Sequence, residues 1–257
     1  MFCFFGYGNR SKVFARVQLI AIAALAFVGM GGRHSEAATI NLQFGDTASS
    51  RFESQVGPGV VGAAGDYWNP SEFAVSGLSL RDSRNNPTGV TFSNSGSGGE
   101  FTAFGTWGFQ NTVYANLMKG YLFSADSSES SPNTFTFDGL DSSKKYSLYI
   151  YSQGDSATGG RQLGVRVDGT TLVASPSDDT ASTFIANQNY LLFSNISPVA
   201  GQIQGDWWRV TSEANINGMQ LLETNGEVPE PTSAAIALLF LGGGALRRLR
   251  RKSQARA

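Results

Sequence analysis

Apolar and polar residues alternate with a period of two in several short stretches between positions 39 and 223. TINLQF (39–44) alternates in this way, with Ile40, Leu42 and Phe44 on one face, and TFTFDGL places Phe135 and Phe137 together before a turn. YLLFSNI and INGMQLLE supply two further strands. YSLYIY places Tyr146, Leu148 and Ile150 on one face and Tyr149 and Tyr151 on the other. Such alternation is typical of antiparallel strands that bury one face and expose the other to water.

The stretch QLGVRVDGTTLV predicts a β-hairpin. Leu163, Val165 and Val167 share a face, and Asp168-Gly169 is a favoured two-residue turn. Turn-forming residues separate the other apolar stretches, and loops are expected over 126–132 and 175–182. The stretch FQNTVYANLMKGYLF, residues 109–123, in which Val113, Leu117 and Tyr121 recur every four residues, allows a short helix or turn. With eight to eleven strands predicted, residues 39–226 fit an all-β fold, a single β-sandwich of jelly-roll type.

Residues 1–38 read as a secretory signal peptide. Arg10, Lys12 and Arg16 precede an apolar run, VQLIAIAALAFVGM, and small residues follow. This order of charge, apolar helix and small residues predicts cleavage near Ala37 or Ala38. The alternative is an uncleaved membrane anchor, for which the apolar run is short, because a spanning helix needs about 20 residues.

Removal of that segment would leave a mature chain with neither cysteine nor histidine, because the single residues of each type are Cys3 and His34. Disulfides, thiol nucleophiles, Ser-His-Asp catalysis and histidine-bound metals are then excluded.

The charge of the chain argues against a nucleic-acid-binding protein. Between positions 39 and 226 there are nine Lys/Arg and 17 Asp/Glu, a net charge of −8. Such a surface repels phosphate backbones, so we expect no nucleic-acid partner.

The last segment, residues 227–257, has three parts. Pro229, Glu230 and Pro231 form an extended, accessible stretch, because proline disfavours helix. The uncharged stretch 232–246 predicts a short transmembrane helix of about 22 Å. Four arginines follow it at Arg247, Arg248, Arg250 and Arg251, and a basic cluster of this kind stops transfer and stays cytoplasmic.

This arrangement resembles the PEP-CTERM sorting signal. The resemblance implies recognition by an exosortase, a membrane-embedded transpeptidase or protease that cuts near Pro229–Pro231. It also implies export across a Gram-negative-type envelope, transient anchoring in the inner membrane, and a final place at the cell surface or in an extracellular, biofilm-type matrix. The alternative is a plain single-pass anchor with a proline-rich stalk.

The middle of the chain carries a second resemblance. VGAAGDYWNP, LRDSRNNPTGVTFS, FDGLDSSKKYSLYIYS and NINGMQLLE occur in that order. They resemble the core of secreted bacterial proteins with this kind of tail and, loosely, galactose-binding-like jelly rolls, including malectin-type modules. Fold similarity does not transfer function.

Carbohydrate binding is the most specific hypothesis for this core. Trp68, Trp107, Trp207 and Trp208 lie beside polar groups, and sugars pack their C–H faces on such rings. Because neighbouring residues of a strand point to opposite faces, at most one of Trp207 and Trp208 fills a given core layer, and the other is expected to be exposed or to cover a sheet edge. In the competing interpretation these tryptophans are core or edge-covering residues, and the protein is a structural, non-enzymatic surface protein. Exopolysaccharide is a partner only if the carbohydrate-binding hypothesis holds.

Acidic residues give two weaker hypotheses. A glycosidase needs two facing carboxylates, and turn regions offer several: Asp66, Asp82, Glu100, Asp155 and Asp206. Acidic loop residues are usually only solvated, and the sequence does not bring any two of these to the required separation, so we expect no catalytic residues. A structural Ca²⁺ site is conceivable at residues 82–86 or at Asp178-Asp179, since calcium binds oxygen ligands alone. Neither spacing matches an EF-hand and Asx-turns account for the same residues, so we expect no cofactor and no metal.

Overall fold

The computed structural model describes residues 39–104, 107–155, 160–175 and 180–224. The predicted signal peptide and sorting segment lie outside the described residues. Across the part of the chain that is described, no helix combines the length and apolar character needed to cross a membrane.

The described residues form a mostly β structure with one short helix, α1 (Ala115–Lys119). The strands in chain order are β1 (Thr39–Phe44), β2 (Asn69–Ser71), β3 (Leu78–Arg81), β4 (Pro87–Ser95), β5 (Gly99–Thr102), β6 (Gly120–Ser124), β7 (Asn133–Asp138), β8 (Lys145–Tyr151), β9 (Gln162–Val167), β10 (Thr170–Ala174), β11 (Tyr190–Ile196), β12 (Gln202–Thr211), β13 (Ala214–Ile216) and β14 (Gly218–Thr224). Several are three or four residues long, and these account for the excess over the predicted eight to eleven.

Two large sheets pack as a sandwich, which confirms the all-β sandwich prediction. The five-stranded sheet has the order β11-β8-β14-β1-β2, and the six-stranded sheet has the order β10-β9-β12-β7-β4-β3. A third, three-stranded sheet has the order β13-β6-β5. Neighbouring strands are antiparallel except β1 and β2, which are parallel.

The core lies between the two large sheets. Its side chains are the inward-facing residues of the alternating strands. Their burial stabilises the fold by about 25 cal/mol for each Å² of apolar surface removed from water. They include Leu42, Phe44, Phe92, Phe135, Phe137, Leu148, Ile150, Val165, Trp207, Met219 and Leu221. The predicted inward residues of β1, β8 and β9 are all in this cluster.

The predicted hairpin is confirmed. Val167 pairs with Thr170, and the turn residues Asp168 and Gly169 have φ of 48° and 72°. Two positive φ angles are the requirement of a type I′ turn, whose twist matches the twist of the strands it joins.

The outer face of the five-stranded sheet differs from the prediction. Alternation predicted that the residues opposite the core would be wet, but β1 is buried at all six positions and β8 at all except Lys145. A second apolar cluster covers this face, made of Trp68, Phe109, Leu117, Met118, Tyr149 and Tyr151. The prediction was wrong here because long loops fold back over the sheet.

Side-chain amides bind these loops to the sheet. Gln43 donates from Nε2 to the carbonyl oxygens of Glu53 (3.1 Å) and Asn116 (2.7 Å). Asn41 donates to the Tyr67 carbonyl at 2.9 Å. Polar strand residues are therefore buried without loss of hydrogen bonding, which is the condition under which burial of an amide is tolerated.

The region 109–123 contains the short helix that the sequence allowed, but the apolar spacing did not mark one helix face. Val113 is 66% exposed and precedes the helix, whereas Leu117 is buried within it. Tyr121 lies beyond its end, on strand β6.

Candidate functional site

One face of the three-stranded sheet is aromatic. Phe101 on β5 pairs with Tyr121 on β6, and Phe123 pairs with Gly99. Directly paired residues of antiparallel strands point to the same side, so Phe101, Tyr121 and Phe123 share one face. The other face of these strands, with Leu122, joins the main core. We call the exposed side, together with the adjacent Phe104, the aromatic face.

Three rings of the aromatic face, those of Phe104, Phe101 and Tyr121, form a connected row. The Phe101 ring centroid lies 5.4 Å from Tyr121 and 6.3 Å from Phe104. Phe104 is 73% exposed, Phe101 and Phe123 are half-buried, and Tyr121 is buried. The guanidinium of Arg51 lies over the Phe104 ring, 4.8 Å from its centroid, which limits the conformations available to that exposed side chain.

Phe123 is positioned by a glycine. A Cβ at residue 99 would lie 3.2 Å from the Phe123 ring, so the ring rests directly on the backbone of β5. A side chain at position 99 would push the Phe123 ring outward and change the shape of the aromatic face.

A charged cluster borders the aromatic face. Arg161 Nη1 lies 3.3 Å from Asp155 Oδ1, and Arg161 Nε lies 3.4 Å from Glu213 Oε1. Tyr121 donates its hydroxyl to Asp155 Oδ1 at 2.9 Å, and Asn215 donates from Nδ2 to Glu213 Oε1 at 2.9 Å. These bonds connect the cluster to β6 and β13. The three charged side chains are 20–24% exposed, so solvent reaches all of them.

Burial and the nearby Asp155 carboxylate raise the pKa of Tyr121 well above its ordinary value. The phenol therefore stays neutral and continues to donate to Asp155. The Oδ1 atom of Asn215 is buried and has no hydrogen-bond partner among the described residues. Together, the site offers ring faces for C–H contacts beside carboxylates, a guanidinium and an amide, which are the groups that bind hydroxyls.

The four tryptophans predicted as sugar contacts do not lie together. Trp68 is 0% exposed in the second cluster and donates from Nε1 to the Gly57 carbonyl at 2.8 Å. Trp207 is 1% exposed in the main core. Trp107 is half-buried against the second cluster, with Lys119 Nζ 5.9 Å from its centroid. Only Trp107 of these three is within reach of a ligand in solution.

Trp208 points away from Trp207, as predicted, but it is neither exposed nor at a sheet edge. It is 5% exposed, and β12 is an inner strand between β9 and β7. Its ring lies on Gly164, where a Cβ would come within 2.5 Å, and Arg166 lies 5.6 Å from its centroid. A neighbouring residue without a side chain provides the space for this ring.

The five carboxylates considered for catalysis are distributed over different elements. Asp66 accepts from the Ala63 amide in a loop, Glu100 is on β5, and Asp206 pairs with Arg166 on the six-stranded sheet. Asp155 shares the guanidinium of Arg161 with Glu213, and Asp206 shares that of Arg166 with the more exposed Glu129.

Asp82 forms the predicted Asx-turn. Its Oδ1 accepts from the amides of Arg84 (2.9 Å) and Asn86 (2.8 Å). Burial acts to raise the pKa of Asp82, but hydrogen bonds from Asn86 and Arg84, with the charge of Arg84, lower it below its ordinary value. No group of three or more His, Cys, Asp or Glu residues suited to a metal occurs in the described ranges, and Asp178-Asp179 falls outside them.

Sequence reasoning missed the residues of the site. Tryptophan was used as the signal for sugar contacts, whereas the exposed rings are phenylalanines. The stretch GYLFS does place Tyr121 and Phe123 two residues apart, as a strand face requires, but it was assigned to a possible helix. Arg161 and Glu213 lie far apart in sequence, so only the fold reveals their contact.

Comparisons with known proteins give no family assignment. No protein-family model matches the chain, and no curated protein matches it either. Among solved structures, a calcium-binding mutant of β-glucuronidase 2 from Bacteroides uniformis is similar at a TM-score of 0.44 and 14% identity, over 72% of this chain and 18% of that chain.

Carbohydrate-binding modules also resemble the chain. The C-terminal CBM6 of LamC, a marine laminarinase from Zobellia galactanivorans, has a TM-score of 0.25 and 19% identity over 40% of this chain and 79% of that chain. The CBM36-1 domain of a xylanase from the hindgut metagenome of Trinervitermes trinervoides has a TM-score of 0.28 and 12% identity over 54% and 99%. With TM-scores below 0.5, these likenesses carry no argument about the function of the site.

Proposed function

We propose that this chain is an exported, non-enzymatic surface or matrix protein whose β-sandwich binds a neutral polysaccharide through the aromatic face. The observation that supports this most directly is the row of Phe104, Phe101 and Tyr121, with Phe123 on the same face, beside the polar groups of Asp155, Arg161 and Glu213. The jelly-roll type of the sandwich belongs to the same proposal.

The arrangement matches the two-sided chemistry of a sugar. Pyranose rings expose C–H groups on their faces and hydroxyls at their edges, so a ring that packs on Phe101 or Phe123 brings its hydroxyls towards the charged cluster. Phe104, being 73% exposed, extends the surface outward along the row. A row of several rings favours successive residues of one chain over an isolated sugar.

Retention on immobilised neutral polysaccharides tests this function. We expect Phe104→Ala to weaken binding about fivefold, because one aromatic contact contributes on the order of 1 kcal/mol and 1.4 kcal/mol is a factor of ten. Val113→Ala is the matched control, since Val113 is also an exposed apolar residue, at 66%. Equal retention of both variants, or no retention of the parent on any matrix glycan, would contradict the proposal and favour a purely structural role.

The charged cluster supports the non-enzymatic part of the proposal. Asp155 and Glu213 are both held by the guanidinium of Arg161, whereas a general acid needs a proton to give and a nucleophile needs an open path to the anomeric carbon. Release of reducing ends from a polysaccharide by the parent, abolished by Glu213→Gln, would show that the site is instead catalytic.

Sorting is the second part of the proposal, and it rests on the sequence of the two ends. We propose signal cleavage near Ala37 or Ala38, transient anchoring by residues 232–246, and exosortase processing at Pro229, Glu230 and Pro231, with Arg247, Arg248, Arg250 and Arg251 on the cytoplasmic side. Strand β1 begins at Thr39, so the proposed signal cleavage removes no part of the sandwich.

Mass spectrometry of the protein recovered from its host tests the sorting proposal. We expect an N-terminus near position 38 and a C-terminus near position 230. Molecules that keep the arginine cluster would support the plain membrane anchor instead. A host without an exosortase would exclude this route altogether.

A further inference from the structure

A cleft lies at the end of the sandwich opposite to the aromatic face. The β9–β10 turn, the end of β11 and the connection from β11 to β12 form it, and its volume is about 340 Å³. Small-molecule sites in proteins occupy about 300–1,000 Å³, so the cleft has room for a small ligand.

Pairing fixes the position of this cleft in the fold. Ile196, which lines it, pairs with Tyr146, and the adjacent Lys145 pairs with Thr224 at the end of β14. Strand β6 instead lies near the opposite end of β1, where a Cβ at Gly120 would contact the backbone of Phe44. The cleft and the aromatic face therefore belong to different ends of the molecule.

The lining combines an apolar floor with polar edges. Val167, Ile196 and Ile203 are core residues whose outer edges form the floor. Asp168 and Gln204 are exposed at the rim. Gln204 donates from Nε2 to Gln202 Oε1 at 2.8 Å, which orients both amides. The floor of the cleft therefore presents C–H groups, and its sides present hydrogen-bonding groups. This arrangement suits a molecule that has an apolar face surrounded by hydroxyls.

Charge narrows the ligand class. The carboxylate of Asp168 repels anions, and the ammonium of Lys145, which donates to Ser197 Oγ at the cleft, opposes cations. With one charge of each sign beside amides and a hydroxyl, the cleft favours a neutral, hydroxyl-rich ligand over an ionic one.

The backbone around the cleft is held in an unusual conformation. Asp168, Asn195 and Ala200 have φ of 48°, 60° and 51°, and they are three of the seven non-glycine residues with positive φ in the described part of the chain. Asp and Asn adopt this region readily, but alanine seldom does. The conformation of Asp168 is that of the β9–β10 turn, so Ala200 is the strained residue. Strain of this kind is found at binding sites, where it fixes the shape of the site before the ligand arrives.

We propose that this cleft is a second binding site, which takes a single neutral sugar residue or a polyol of that size. The proposal shares its ligand class with the proposed function but does not depend on the aromatic face. With both sites present, one molecule could hold two polysaccharide segments at opposite ends.

Isothermal titration of the purified full-length protein with a panel of methyl glycosides of neutral hexoses and pentoses, and with glycerol, tests the cleft. We expect saturable binding of at least one compound and at least fivefold weaker binding by the double variant D168N/Q204A. The matched control is D126N/Q110A, which makes the same changes at exposed positions outside the cleft. Asparagine tolerates the positive φ of position 168, and thermal melting of both variants checks that the fold is kept.

Each outcome decides the question. Absence of saturable binding by the parent overturns the proposal, and so does equal binding by D168N/Q204A and the parent. Failure of the aromatic face is recognised separately, because it appears as polysaccharide retention that Phe104→Ala does not alter. Retention by D168N/Q204A with loss of glycoside binding would show that the two sites act independently.

Discussion

The outer faces of the two large sheets both carry polar residues at alternate positions, but loops cover one face and the other faces solvent. On the five-stranded sheet, Asn41, Gln43 and Gln220 are at most 1% exposed and bind overlying loops. On the six-stranded sheet every polar residue at the matching outward positions is exposed or half-buried: Thr91, Ser93, Ser95, Thr134, Thr136, Asp138, Arg166, Thr171, Gln202, Gln204 and Asp206.

Side-chain length accounts for part of this difference. Asparagine and glutamine carry both donors and acceptors and reach the main chain of a covering loop, whereas the open face is rich in short hydroxyl side chains, which water satisfies. A polar outward residue is therefore not sufficient evidence of solvent exposure. The four predictions below test this contrast.

High pH should have the largest effect, and the covered face should contribute to it together with Tyr121 and Tyr146, whose pKa values burial also raises. Burial raises the pKa of both Tyr149 and Tyr151, which lie on that face. Below the ordinary tyrosine pKa of about 10, the two phenols are neutral in both the folded and the unfolded state. Above it, they ionise in the unfolded chain before they ionise in the folded protein. Stability is therefore lost as pH rises past about 10. Urea midpoints across this range, with absorbance at about 295 nm to follow the phenolates, should show ionisation together with unfolding.

Tyr151→Phe provides the comparison for this experiment. The variant loses the bond to Gln220 and the one from the Val60 amide, so it should be less stable than the parent at neutral pH. Its stability should fall less steeply between about pH 10 and 12, because one buried phenol is gone. An equally steep fall would mean that Tyr151 does not contribute to the alkaline transition.

The same substitution on each face should give unequal losses. Gln220→Ala removes the acceptor of the Tyr151 hydroxyl and the donors to Asn41 Oδ1 (2.8 Å) and the Val61 carbonyl (3.2 Å). We expect about 3 kcal/mol of lost unfolding free energy, because each buried partner left unsatisfied costs about 1–3 kcal/mol. Gln204→Ala should stay within about 0.5 kcal/mol. Similar losses in chemical denaturation would remove the distinction between the faces.

Gly164→Ala tests the one strongly covered place on the open face. The new methyl would lie 2.5 Å from the Trp208 ring, and overpacking of this kind costs about 1–3 kcal/mol. In a variant that carries both changes, Trp208→Ala should remove most of the stability loss that Gly164→Ala causes. A double-mutant cycle measures this coupling. Additive losses would show that the ring and the glycine are not coupled.

The smallest effect is expected at the ion pair of the open face. Arg166 Nη2 lies 2.6 Å from Asp206 Oδ2, and the two side chains are 37% and 30% exposed. Partly exposed pairs contribute less than about 1 kcal/mol, so Asp206→Asn should lower stability only slightly, and less at high salt. A loss comparable to that of Gln220→Ala would mean that this face, too, depends on its polar contacts.

Local pattern was sufficient to predict the sandwich but not its covering. Ile40, Leu42 and Phe44 were assigned to the core because a period of two specifies a strand face. Nothing near Asn41 and Gln43 in sequence indicates burial, since their partners are the carbonyls of Tyr67, Glu53 and Asn116. Contacts between distant loops depend on the whole fold.

The candidate site was harder to predict for the same reason. Phe101 and Tyr121 meet across a strand pair, and Asp155 is linked to Glu213 through Arg161. The choice of tryptophans followed residue type alone. Large rings are, however, the side chains that a core uses most effectively, as the burial of Trp68 and Trp207 illustrates.

The position of β14 has a mechanical consequence. This last described strand is hydrogen-bonded on both sides, to β1 up to Leu222 and to β8 up to its final residue, Thr224, which pairs with Lys145. Tension transmitted from a tether beyond Thr224 would run along the strand, so it would load the hydrogen bonds on both sides in shear rather than one after another. We expect high rupture forces when single molecules are pulled from this end, and low forces would show that the strand peels away.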